Sequence, residues 1–71
     1  MPSYLIQFHN SSQSLFAGYV DGPIISAEND EKAVEMAREI WEWQRHCGYS
    51  TDGFRVLKIV DTYSISETKE V

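Results

Sequence analysis

Between Asn29 and Gly48 the apolar positions recur at helical spacing. From Asp30 to about His46, Ala33, Val34, Met36, Ala37, Ile40, Trp41, Trp43 and Cys47 fall within one half of a helical wheel. Glu31, Glu35, Arg38, Glu39, Glu42, Arg45 and His46 fill the other half. Asn29 is placed to cap the first turn by accepting from its free amides, and Asp30 and Glu31 put negative charge at the positive end of the helix dipole. Gly48 follows the last periodic residue, where a left-handed residue commonly closes a helix. Start, period and stop agree on one amphipathic helix.

The flanking segments alternate with the period of strands. Tyr4-Leu5-Ile6-Gln7-Phe8 is rich in strand formers, with Tyr4, Ile6 and Phe8 on one face and Leu5, Gln7 and His9 on the other. The polar run Asn10-Ser11-Ser12-Gln13-Ser14 has turn chemistry. Residues 15–20 then return antiparallel, with a bulge or a close backbone approach expected at Gly18. Asp21-Gly22-Pro23 reads as a second break, and Ile24-Ile25-Ser26-Ala27 as a short third strand or an extended lead into the helix. A late strand is expected from Phe54 to Tyr63, after which residues 64–71 are mostly polar and are expected to fray.

The predicted fold is therefore α+β: a small antiparallel sheet of three to four strands with one helix on one face, in the order β-β-(β)-α-β. A single domain over residues 1–63 is expected, followed by the tail. The opposite sheet face is left to solvent or to a partner.

Size and charge narrow the function. A chain of 71 residues buries only roughly 60% of its unfolded surface. With no disulfide framework possible from the lone Cys47, efficient packing of nine aromatics or association, as a homodimer or with a partner, is the expected route to stability. Eleven acidic residues against six basic ones, a net charge of −5, argue against direct nucleic-acid binding, which needs a basic face. A hydrophobic fraction of 42% is too high for an acidic disordered tail. No apolar run reaches the roughly 20 residues that span a bilayer. The first ten residues lack the basic start and apolar stretch of a secretory signal, so a cytoplasmic location is expected.

Reactive side chains are few. His46 and Cys47 are neighbours on the helix and point about 100° apart, poor geometry for a nucleophile and its base. Cys47 lies on the apolar arc, where a thiol packs as a small hydrophobe. Glu42 and His46 are four apart, and two ligands do not make a metal site. The four glycines are isolated from one another, which excludes a phosphate-binding loop. No catalytic residue, cofactor or metal is expected, and the chain is read as a non-enzyme.

The helix itself carries the candidate surface. Glu28, Glu31, Glu35, Glu39 and Glu42 fall along one line, about 16 Å from Glu31 to Glu42. Like charges four apart destabilise a helix slightly, so the row invites a functional reading: carboxylates docked on a basic groove, placed where phosphates would lie. The plainer alternative is an ordinary solvated face, partly neutralised by Glu35–Arg38 and Arg38–Glu42. Trp41 and Trp43 flank the apolar arc on opposite sides, so one can enter the core while the other rests on its rim as an anchor. Gln44, near the middle of that arc, needs a hydrogen-bond partner or marks an interface.

The segment from Gly18 to Pro23, followed by Ala27-Glu28-Asn29-Asp30-Glu31-Lys32-Ala33-Val34-Glu35-Met36-Ala37, resembles the strand-to-capped-helix half-fold of HicB-type antitoxins over about half of the chain. In size, acidity and element order the chain is also similar to small phage anti-CRISPR and other anti-defence inhibitors. The resemblance implies a cytoplasmic, non-enzymatic inhibitor, acting in the host cytoplasm if phage-encoded. The contact residues come from the helix face and not from the resemblance: a protein partner with a basic surface is expected to meet Glu31, Glu35, Glu39 and Glu42, with Trp43 or Trp41 at the edge. The other implied role is an antitoxin-like regulator neutralising a cognate toxin.

Overall fold

The computed structural model describes residues 1–10, 18–48, 51–60 and 68–71. Four strands and one helix follow in the order β1 (Ser3–Asn10), β2 (Gly18–Ser26), α1 (Asp30–His46), β3 (Gly53–Ile59) and β4 (Thr68–Glu70). The strands form one antiparallel sheet ordered β2-β1-β3-β4, with α1 packed on one face. The fold is α+β. Because β2 and β3 both run antiparallel to β1 on either side of it, the chain from β2 through α1 to β3 is a split β-α-β unit with β1 inserted in the gap.

Helix α1 forms where its caps and period place it. The Asn29 side chain accepts from the Lys32 amide at 2.8 Å, and Gly48 takes φ of 98°, the left-handed value that ends the helix. Ala33 and Ala37, one turn apart, are fully buried and let the helix approach the large side chains of β1. Tyr4, Ile6 and Phe8 lie on the face turned toward the helix and are buried there with Val56 and Ala27. Val34, Ile40, Trp41, Ile25 and Phe54 close the sides of this core.

A polar clamp fixes the start of the helix. Tyr4 is wholly buried, so its hydroxyl needs an internal partner. It donates to Asp30 Oδ1 at 2.7 Å, and Lys58 on β3 approaches the same carboxylate at 3.6 Å. Burial, reinforced by that hydrogen bond and by the charge of Asp30, pushes the Tyr4 phenol up to about 12. Between about pH 10, where the unfolded phenol ionises, and about 12 the folded state holds the proton more tightly. The stability that Tyr4 contributes is therefore complete below pH 10 and is lost as pH rises toward 12. Melting curves across that range should fall more steeply for the native chain than for Tyr4→Phe. Parallel slopes would mean that the phenol is not held by this environment.

Two expectations are corrected. Asp21-Gly22-Pro23 does not end a strand, because β2 runs unbroken from Gly18 to Ser26. Leu5 faces Ile24 and Gln7 faces Asp21, so Gly22 and Pro23 together stand opposite Ile6, and the turn-forming residues are accommodated as a β-bulge. Of the polar tail, residues 64–67 lie outside the described residues, while Thr68–Glu70 pairs with β3 as β4 and the Val71 amide donates to the Val56 carbonyl at 2.9 Å. Backbone ladder bonds need no apolar side chain, which is why polarity misread this segment. The late strand ends at Ile59 among the described residues, and the expected turn over 11–14, residues 15–17 of the return strand and the extension over 61–63 lie outside them.

The face away from the helix is neither bare nor uniformly polar. Leu5 lies between Ile24 and Leu57 in register and is only 6% exposed. Farther along β1, a ribbon of polar and aromatic side chains crosses three strands. Arg55 Nε donates to Gln7 Oε1 at 2.7 Å, and Gln7 Nε2 donates to Asp21 Oδ1 at 2.6 Å. The Arg55 guanidinium also stacks over the Tyr19 ring at 3.8 Å, and Tyr19 meets His9 at 5.1 Å between ring centroids. His9 Nδ1 lies 3.8 Å from Asp52 Oδ2. This ribbon takes the place of a second layer over that half of the sheet.

Candidate functional site

The helical period decides which side chains of α1 reach solvent. With Ala33 and Ala37 at the centre of the buried side, Glu31, Glu35, Glu39 and Glu42 all emerge exposed, and Glu28 before the cap is exposed as well. The row therefore exists as a surface. Lys32 Nζ pairs with Glu35 at 3.6 Å, both side chains being more than half exposed, so this pair contributes little to stability. The expected neutralisation through Arg38 is not what pairs Glu35: the basic partner is Lys32, one turn before it.

The two tryptophans separate. Trp41 is half-buried, its ring 5.5 Å from Phe54 on β3 and capped by the Arg45 guanidinium at 4.9 Å. Its indole N–H is enclosed without an acceptor among the described residues. Trp41 thus serves the packing of α1 on β3, with only its outer edge left for a partner. Trp43 is 65% exposed, an unusual position for so large an apolar ring. It stands on the other flank of the helix, four residues after Glu39 and hence next to it on the surface. Gln44 is half-buried.

Cys47 departs from its expected place in the core. It is exposed and forms the C-cap of α1, its amide donating to the Trp43 and Gln44 carbonyls at 3.0 and 3.1 Å. The cap ends the helical geometry on which the wheel placement rested.

Among the described residues, no three His, Cys, Asp or Glu side chains converge to hold a metal ion. No described helix is long and apolar enough to cross a membrane. The groups that do converge, on the far sheet face, are Gln7, His9, Tyr19, Asp21, Asp52 and Arg55. Sequence alternation placed Gln7 and His9 on that face. Their partners on β2 and β3 become visible only once the strand register is known. No family model, curated protein or solved structure matches this chain.

Proposed function

We propose that this chain is a non-enzymatic protein-binding module whose outer helix face docks on a basic surface of its partner. The observation that carries this reading is the exposed row Glu31, Glu35, Glu39 and Glu42 with the solvent-facing ring of Trp43 beside it. Four carboxylates spread over about 16 Å match a surface built to hold several phosphates in a line. Trp43 supplies the large apolar anchor that dominates many interfaces. The sheet edges compete poorly for the role. The edge strand β2 carries the Gly22–Pro23 bulge, which disturbs its outward ladder, and β4 covers three of the described residues. The finer reading, that the partner is a nucleic-acid-handling complex and the chain its inhibitor, is supported by the sign and linear spacing of the carboxylates.

The test is retention of the partner on the immobilised chain from nuclease-treated bacterial lysate. A nucleic-acid-binding partner should be released as salt screens the interface, and added single-stranded oligonucleotide should displace it. Glu35→Lys combined with Glu39→Lys should weaken capture by roughly a hundredfold while the melting temperature changes little, because both positions are exposed. Capture that is insensitive to the double reversal would overturn docking through this face. Capture that is lost on reversal but unaffected by oligonucleotide would keep the docking face and remove the nucleic-acid-site reading.

A further inference from the structure

A line of exposed apolar side chains runs beside the glutamates. Met36 and Trp43, 38% and 65% exposed, are two helical turns apart on one flank of α1, about 10 Å along its axis. Toward the start of the helix this strip opens into a concavity of about 260 Å³ lined by Met1, Ser26, Ala27, Glu28, Lys32 and Met36. The surface lining this concavity is predominantly apolar. One flank of the helix therefore carries two exposed apolar side chains, the first of them at the concavity, with Glu35, Glu39 and Glu42 on the adjoining face.

We infer that this strip receives a cationic amphipathic helix of the partner, an inference that rests on the docking face proposed above. Two apolar side chains of that helix, seven residues apart, match the two features in spacing: one enters the concavity beside Met36 and the other covers Trp43. Lysines or arginines on its adjoining flank then face Glu35, Glu39 and Glu42. Charge decides among occupants. A second copy would bring its own row of glutamates against this one, and a nucleic acid its phosphates, both repelled by the same carboxylates. A basic helix is attracted by the row, and its apolar side chains desolvate the strip.

Two synthetic peptides of about 18 residues test this on the intact chain: one of Leu and Lys with leucines at helical spacing, the other with every Leu replaced by Ala. Both keep the same charge, and both Leu and Ala are strong helix formers. By titration calorimetry the Leu/Lys peptide should bind at least roughly tenfold more tightly than the Ala/Lys peptide. Met36→Ser and Trp43→Ser should each weaken the Leu/Lys peptide several-fold more than the Ala/Lys peptide and so narrow that difference. Both residues are exposed, and circular dichroism verifies that the variants stay folded. Equal affinity for the two peptides would overturn the apolar strip as a receptor and leave docking by charge standing. A Leu/Lys preference that survives both serine variants would place the peptide elsewhere and overturn it too. Failure of both peptides to bind would remove the docking face along with the inference.

Discussion

Gly22→Ala should lower the melting temperature by about 10–20 °C, corresponding to a loss of about 2–3 kcal/mol in a domain of this size. Gly22 is not in the left-handed region, so the backbone there would accept alanine without conformational cost. The obstacle is space. A Cβ built at Gly22 would sit 2.8 Å from the Ile6 carbonyl oxygen and overlap the edge of the Phe8 ring. The ring can swing only by loosening a residue that is 7% exposed, and the carbonyl belongs to the central strand. Gly53→Ala is the control: a Cβ there meets nothing within 4 Å and the backbone is again ordinary, so stability should hold or rise by a few tenths of a kcal/mol. Thermal denaturation of the two variants checks the contrast. If both melt within a few degrees of the native chain, the close approach of β2 to Phe8 is not what holds the bulge.

The same glycine shows why the sequence was legible in some places and not in others. Helix α1 could be read to its ends because capping and period are local: Asn29, Asp30 and Gly48 act on residues within one turn of themselves. The buried face of β1 was legible for the same reason, since alternation alone separates Tyr4, Ile6 and Phe8 from Leu5, Gln7 and His9. The Gly22–Pro23 step was misread because a local turn signal and a bulge use the same residues, and only the pairing with Ile6 distinguishes them. Thr68–Glu70 was missed because its place in the sheet rests on backbone pairing with β3, which leaves no trace in side-chain pattern.

The candidate surfaces divide along the same line. The exposed glutamate row and the separation of Trp41 from Trp43 follow from helical period once the buried side is known. The ribbon from Asp21 through Gln7 to Arg55 and Tyr19 depends on the registers of two strand pairs, which no spacing within a single segment encodes. Leu5 illustrates the point from the apolar side. It is on the face predicted for it, yet it is buried there because Ile24 and Leu57 arrive on either side.

Ile6→Ala is the second variant expected to have a large effect, and it separates stability from binding. Ile6 is the fully buried centre of β1, paired in register with Val56 and packed with Tyr4, Phe8, Ala33 and Ala37 in one core. Truncation there costs about 2–5 kcal/mol, because the neighbours collapse only partly into the vacated space. A core this small rarely supplies more than about 3–5 kcal/mol in total, so the variant should be largely unfolded at 25 °C, with far-UV circular dichroism reporting the loss. Trp43→Ala removes a larger side chain and should change stability by no more than about 0.5 kcal/mol, since the ring is mostly in solvent. The comparison is informative because ring size alone would predict the reverse order. A Trp43→Ala variant that unfolds as Ile6→Ala does would mean that the ring serves the fold, and the outer helix face would lose its anchor. A folded Trp43→Ala variant with weakened partner capture would place the same ring in the interface, where its exposure is an asset of binding and not a defect of packing.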